Sequence, residues 1–361
     1  MSVASPEPPA VQIPARVRQA YGLEGARLRS ISMGWINQTF RVERESGPDL
    51  ALQRLHPIFG PEVHEDIEAV TRHLEAKGLS TPRIERSAEG ALCVEAEGGL
   101  WRALRWLEGQ AFVSLRSRPE RLRSAGRLVG RFHAALADLD HDFAFRRAGV
   151  HDTEAHLARL LELLDERGAQ AGLSAVAQAA SAVLEQATSL PPIATQPQRL
   201  LHGDLKASNL LFDAAGERAL ALLDLDTLGR GPVAVELGDA LRSWCNRADE
   251  DDPASSFDAD AFEAALEGYA QGAPGWLLPE EIRSIVPGIE RISLELASRF
   301  AADAFEDRYF GWDPSRYRSR RRHNLARVRG QLALLASLRA ARPDLEARAA
   351  RAFGLIPAGA P

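Results

Sequence analysis

The chain has 361 residues, enough for two lobes with sizeable cores, and its 45% hydrophobic and 26% charged residues are ordinary for a globular protein. A formal net charge of -6 excludes bulk non-specific binding to nucleic acid, which needs a basic face. Cys93 and Cys245 cannot build a disulfide framework and sit in no metal-type spacing, and no apolar run is long enough to cross a bilayer. A reduced cytoplasmic setting without membrane attachment is therefore expected.

Residues 1–14 are rich in Pro, Ala, Ser and Glu, lack the apolar centre of a secretory signal and read as a flexible leader. Residues 15–22 read as a short helix. The period then shifts toward two and predicts strands at Arg27–Met33, Asn37–Glu45 and Leu50–Leu55, with turns at Met33–Asn37 and Ser46–Asp49. Val63, Ile67, Val70 and Leu74 recur at helical spacing, so a helix is expected over Pro61–Lys77, ended by Gly78. Strands at Leu92–Glu95 and Leu100–Trp106 complete a sheet-based lobe, residues 15–107.

The boundary falls near Trp106–Gln110, and residues 108–361 form a second lobe. Helices are predicted at 119–138, 152–166 and 173–188, with Pro191-Pro192 breaking the last. Strand and loop motifs occupy 198–226, and helices follow at 236–245, 258–270, 280–305 and 320–340. Asp249–Pro253 reads as a solvated acidic loop. The basic tract Arg316–His323 reads as a solvated helix start or an anion contact in preference to a nucleic-acid patch. The expected fold class is α+β, a small mainly β N-terminal lobe and a larger mainly α C-terminal lobe.

The chemistry concentrates in His202-Gly203-Asp204-Leu205-Lys206-Ala207-Ser208-Asn209, followed after an apolar stretch by Leu223-Asp224-Leu225-Asp226. Asp204 can orient a substrate hydroxyl and take its proton. Asn209 and Asp224 offer oxygens to a hard cation such as magnesium. A base, then an amide, then a second acid is the order in which kinase-like folds carry base and metal ligands. An ATP-dependent phosphotransferase is therefore the leading expectation. Lys206 is a candidate for approaching the transferred phosphoryl group, and His202 a brace for the loop. Asp226, two residues beyond Asp224, would point the same way on a strand. Asp239 could bind backbone amides of the catalytic loop. Arg242, three residues on, could hold a substrate oxygen or pair with Asp239.

Upstream, Gly34 and Asn37 sit in a turn whose amides could approach phosphates. The third strand carries Leu52-Gln53-Arg54-Leu55 where a kinase-like lobe places a phosphate-binding lysine. Arg54 can supply that charge with a different geometry. Its carboxylate partner is expected from the next helix, at Glu68 with Glu65 as the rival.

His202-Gly203-Asp204 with Asn209, then Leu223–Asp226, resemble the aminoglycoside phosphotransferase and choline kinase superfamily over most of the chain. Four segments look closer to the N-acetylhexosamine 1-kinases: Gly34–Phe40, Leu52–Leu55, Asp224–Thr227 with Gly238–Arg242, and Arg299-Phe300 through Tyr309-Phe310 to Asn324-Leu325. The resemblance implies a two-lobed protein-kinase-like fold, use of MgATP, and phosphorylation of the anomeric hydroxyl of N-acetylglucosamine or N-acetylgalactosamine. It makes Asp204 the base and Asn209 and Asp224 the magnesium ligands. It sets the Gly34 turn over the nucleotide and Arg105 to Glu108 as a hinge beside the adenine. Asp204, Asp226 and Arg242 would line a polar acceptor cleft. Trp35 replaces a more usual polar residue, and Trp244–Phe257 departs from the family pattern. Within the class, another sugar, homoserine, choline or an aminoglycoside is the rival acceptor. Outside it, the rival is an inactive nucleotide-binding or scaffold protein.

Overall fold

The computed structural model describes residues 12–31, 37–116, 118–145 and 151–357, which separate into two compact units. The first contains residues up to Ala76, Thr81–Glu108 and Asp140–Phe145. The second contains Lys77–Ser80, Gly109–Leu139 and the chain from Arg146 onward. A single boundary thus does not describe the division. Asp140–Phe145 joins the first unit because the carboxylate of Asp66 accepts from the backbone N–H groups of Ala144 and Phe145.

The first unit comprises α1 (Ala15–Tyr21), β1 (Arg27–Ile31), β2 (Gln38–Glu43), β3 (Leu50–Arg54), α2 (Val63–Ala76), β4 (Ile84–Glu85), β5 (Val94–Ala96) and β6 (Gly99–Arg105). Its antiparallel sheet runs β1-β2-β3-β6-β4, with β5 also on β6. The register aligns Phe40 with Leu52 and Leu52 with Ala103. Because side chains alternate along a strand, Phe40, Val42, Leu50, Leu52, Trp101 and Ala103 share one face. They form a core with Val17, Tyr21 and Leu23. Ile13 is buried in that core too, which shortens the expected leader at its C-terminal end; residues 1–11 lie outside the described residues. The same parity sends Thr39, Gln53 and Arg102 to the opposite face.

The second unit holds β7 (Gln110–Ala111), α3 (Pro119–Ala135), α4 (Thr153–Arg167), α5 (Ser174–Ala187), β8 (Arg199–Leu201), β9 (Leu210–Phe212), β10 (Ala219–Leu222), β11 (Gly229–Gly231) and α6 (Val233–Trp244). It continues with α7 (Ala259–Gly272), α8 (Pro279–Arg283), α9 (Ile285–Glu306), α10 (Arg320–Ala340) and α11 (Arg342–Ala352). Two small sheets, β10-β9-β7 and β11-β8, lie among the helices. A core of Leu160, Leu163, Val176, Val183, Leu294, Phe300, Val328 and Leu335 knits α4, α5, α9 and α10 together.

Three helical expectations need correction. The stretch 280–305 is two helices that part at Ser284, where Pro287 has no N–H to continue the ladder onto the Arg283 carbonyl. The helix expected from 236 begins at Val233, directly after Pro232, whose fixed φ suits a helix entry. The last helix, α11, went unread because it buries only Leu345 and Ala349 and so carries no apolar stripe. No helix among the described residues is long and apolar enough to cross a membrane.

Candidate active site

The site is built on β8, the loop 202–206, the turn Ala207–Asn209, β9, β10 and the turn Leu225–Thr227. Antiparallel pairing of β9 with β10 and of β8 with β11 folds this stretch back on itself. The Leu223 N–H donates to the Asn209 carbonyl at 2.8 Å, and His202 Nε2 to the Leu223 carbonyl at 2.9 Å. These bonds bring the residue after each apolar strand to one place.

Asn209 Nδ2 donates to the Asp204 carbonyl at 2.8 Å and to Asp204 Oδ2 at 3.1 Å. Both bonds use the amide nitrogen, so the amide oxygen, a hard neutral donor, is fixed in orientation. Lys206 Nζ lies 2.5 Å from Asp204 Oδ2 and 4.0 Å from Asp224 Oδ2. Burial alone would lower the pKa of this ammonium, but Asp204, Asp224 and Asp239 around it raise it above the ordinary lysine value. Lys206 is therefore a permanent cation between two carboxylates.

Asp224 stands in the left-handed region at φ 60°, ψ 60°, uncommon for residues other than glycine, though Asp and Asn adopt it more readily than the rest. The strand has ended there and a 3-10 turn follows, so strand parity does not aim Asp226 beside Asp224. Asp226 is instead buried in the turn, only 1% exposed, which corrects its expected place on an acceptor-facing wall.

The loop is braced from behind. Oε1 of Glu236, on α6, accepts from the His202 N–H and Oε2 from the Gly203 N–H, both at 2.8 Å. Its Oε1 also meets His133 Nε2 at 3.1 Å, and His133 Nδ1 meets the Tyr269 hydroxyl at 2.8 Å. The amide-binding role expected of Asp239 thus belongs to Glu236, one helical turn earlier. An acid inside the apolar run Val233–Leu237 was the signal that sequence reasoning passed over. Burial opposes the charge of Glu236, yet His133, His202 and the loop amides hold its pKa below the ordinary 4.5. A lowered carboxyl pKa stabilises the fold at pH above the unfolded value, and the contribution is lost as pH falls through the folded one.

Gly203 adopts φ 82°, and a Cβ there would fall 2.2 Å from the Thr227 carbonyl oxygen, so no larger residue fits. Thr227 Oγ1 donates to the His202 carbonyl. His202 is fully buried, which lowers its pKa and keeps it neutral, with Nε2 the donor and Nδ1 accepting from the Asp204 N–H. It braces the loop and has no exposed edge for acid–base work.

Replacing Glu236 by Gln should leave one loop amide unsatisfied. The expected loss is about 1–3 kcal/mol of stability, read as a lower urea midpoint. A midpoint equal to that of the parent would mean that the loop is held by other contacts.

Beside the loop, Trp244 Nε1 donates to the Leu205 carbonyl at 2.8 Å, tying the end of α6 to the site. Arg242 pairs with Asp239 at 3.2 Å and with Glu250 at 3.4 Å, forming a charged wall. The 249–253 loop is not simply solvated. Asp251 is buried and accepts from Tyr317 Oη at 2.8 Å, with Arg316 and His323 each at 3.0 Å. The rest of the basic tract is spent locally. Ser319 caps α10, Arg320 donates to the Phe310 carbonyl beyond α9, and Arg321 donates to the Ala304 carbonyl in the last turn of α9.

In the first unit, the residues expected to serve the nucleotide have other engagements. Arg54 Nε donates to the Gly98 carbonyl at 2.6 Å, while Glu68 accepts from Arg83 at 3.2 Å and Arg86 at 3.3 Å. The expected Arg54–Glu68 pair is therefore corrected. Parity puts Arg54 on the α1 side of β3, away from Thr39 and Gln53. Asn37 Oδ1 accepts from the His56 N–H, Glu108 accepts from Arg41 at 2.6 Å, and the exposed Arg105 lies near Glu75 and Glu85. Gly34 lies outside the described residues.

The chain thus has a sheet-based unit, a helical unit, and a loop system that presents Asp204, Lys206, Asn209 and Asp224. Residues 27–276 match the phosphotransferase enzyme family known as APH, and the chain belongs to that family. It is 27% identical over 203 residues to a homoserine kinase of Rhodopseudomonas palustris, covering 56% of this chain and 57% of that one. A Bradyrhizobium homoserine kinase is 26% identical over 178 residues, 49% of this chain and 51% of its own. The chain thus spans just over half the length of the curated relatives it matches. Among solved structures, an aminoglycoside phosphotransferase from Alicyclobacillus acidocaldarius aligns with a TM-score of 0.64 at 18% identity, over 94% of this chain and 98% of that one. Amicoumacin kinase, solved with AMP-PNP, Ca2+ and Ami, aligns at 0.58 and 17% identity, over 86% of this chain and 91% of its own. These structures share the fold.

Proposed function

We propose that the chain transfers the γ-phosphoryl group of MgATP to the anomeric hydroxyl of an N-acetylhexosamine. The observation that carries the kinase reading is the meeting of Asp204, Lys206, Asn209 and Asp224 on one braced loop system. Asp204 would accept the hydroxyl proton and align the oxygen. Its carboxylate is anchored through Oδ2 by Lys206 and Asn209, so its orientation is set before the acceptor arrives. Asn209 and Asp224 would hold magnesium, which is satisfied by few protein oxygens when phosphates and water complete its shell. The ion would offset charge on the phosphates. Lys206, kept charged by its neighbours, would steady the loop and the developing negative charge.

The amino-sugar acceptor is supported by resemblance in separate segments. One of them, 299–325, is organised around Asp303, which accepts from the N–H groups of Arg308, Tyr309 and Phe310 and from Asn324 Nδ2. The charged wall of Asp239, Arg242 and Glu250 suits a hydroxyl-rich acceptor, whereas choline would favour an aromatic cage. A second reading, phosphorylation of homoserine, is favoured by the curated relatives alone.

The test incubates the protein and MgATP with amino sugars, neutral hexoses, homoserine, choline and aminoglycosides, then locates phosphate by phosphorus–proton coupling. An N-acetylhexosamine 1-phosphate is expected. Preferential transfer to homoserine would replace the acceptor and keep the kinase, and no ATP consumption with any acceptor would remove the kinase reading.

A further inference from the structure

We propose that His151, presented by the buried carboxylate of Glu295, binds a hydroxyl of the acceptor away from the reacting oxygen and so selects neutral, hydroxyl-rich acceptors. The inference rests on the kinase reading above and deepens its acceptor side. His151, Asp152 and Thr153 form the entry to α4. Asp152 caps the helix by accepting from the Ala155 N–H. Thr153 Oγ1 donates to Glu295 Oε2 at 2.8 Å, and His151 Nδ1 meets Glu295 Oε1 at 3.2 Å. Glu295 is fully buried, whereas the His151 side chain is 24% exposed. A carboxylate can only accept, so Nδ1 carries the proton of this bond and the ring is held by it. Nε2 has no hydrogen bond among the described residues. A buried acid fixed by a hydroxyl and spent on one imidazole nitrogen orients the other nitrogen for a partner.

The second unit alone contains these residues and the catalytic loop. Helices α6 and α9 meet backbone to backbone: a Cβ on Gly238 would fall 2.6 Å from the Gly288 carbonyl oxygen. Glu295 follows Gly288 by two turns on the same face of α9, and Asp239 and Arg242 follow Gly238 on α6. Burial alone would lower the pKa of His151, but Glu295, Asp239 and Glu236 raise it above the ordinary 6.5. Asp239 also raises that of Lys206, the partner of Asp204. One carboxylate is thus felt by the imidazole and by the loop cation, and it forms an ion pair with neither. An acceptor with oxygens on several carbons can meet Asp204 at one hydroxyl and His151 at another.

The nature of Nε2 selects the group it meets. In the neutral ring Nε2 accepts, and in the charged ring it donates. A hydroxyl does both and is matched in either state. A carboxylate suits the charged ring only, and the three acids that act on His151 outnumber the arginines paired with them, Arg242 and Arg299. A quaternary ammonium has no hydrogen to share.

The experiment measures kinetics with MgATP and N-acetylglucosamine or its monodeoxy analogues in the parent, His151→Asn and His151→Gln, with a urea midpoint for each. Asn keeps a donor for Glu295 near the Nδ1 position and has nothing at Nε2. His151→Asn should raise the acceptor KM about ten-fold and leave the KM for ATP unchanged. One monodeoxy analogue should show the same loss with the parent and no added loss with His151→Asn, which identifies the hydroxyl. His151→Gln should recover part of the affinity, because its amide reaches toward the Nε2 position. Glu295→Gln, acting through the ring, should add nothing to the acceptor KM in the His151→Asn background. A folded His151→Asn with the parent's acceptor KM overturns the inference, as does an equal added loss with every analogue alongside a lowered urea midpoint. If His151→Asn does not fold, His151→Gln decides: an altered analogue pattern supports the assignment, and the parent's pattern overturns it. A parent that prefers homoserine overturns the hydroxyl-rich acceptor and keeps the kinase. A parent that consumes no ATP with any acceptor overturns the kinase reading and this inference with it, a result distinct from an active parent with unaltered variants.

Discussion

Asp204→Asn should reduce kcat by about 10²- to 10⁴-fold, the usual worth of a positioned general base. The replacement is nearly isosteric, and its amide can still meet Asn209 and Lys206 through one oxygen. The loop should therefore keep its shape, since Glu236 and Thr227 hold the backbone from the other side. MgATP affinity should stay close to that of the parent, because the metal-facing groups proposed here are Asn209 and Asp224. A loss confined to kcat marks an interaction made in the transition state. Turnover near that of the parent would remove Asp204 from the role of base.

Asp224→Asn should abolish the gain in ATP affinity that magnesium confers. The carboxylate is the charged member of the proposed ligand pair, and an amide there leaves the cation two neutral oxygens. Losing even a supporting partner of a metal ligand costs roughly 10–100-fold in metal affinity, so loss of the ligand itself should cost at least that. Asn is the informative choice because it tolerates the left-handed backbone of this position, whereas Ala would add strain to the lost charge. ATP titrations with and without magnesium separate the effects. Equal magnesium dependence in variant and parent would leave Asp224 as a turn residue only.

What could be read from sequence divides along the distance over which residues act. Asp204, Asn209 and Asp224 lie within one short strand–loop–strand stretch, where spacing alone constrains geometry, and the structure brings them together. The strands and helices of strong period were legible for the same reason. Glu236 acts on amides more than thirty residues upstream, and nothing local to it announces that contact. Asp251 looked solvated within an acidic run because the Tyr317 and His323 that bury it arrive from far downstream. The assignment on β3 misled because a strand reverses its facing at every residue. Position along the chain pointed to Arg54, while parity put Gln53 and its cross-strand partner Arg102 on the other face.

The left-handed backbone at Asp224 also limits how this position can change over time. Asn and Gly suit that conformation, and both are uncharged. Glu, which would preserve charge, suits it poorly. Replacements that the backbone accepts therefore discard the carboxylate, and one that keeps a carboxylate strains the backbone. Gradual retuning at this point is closed off, so descendants of the chain would retain Asp224 or lose the proposed metal ligand in a single step with the fold intact. A relative bearing Asn or Gly here should be a well-folded protein with a new occupation.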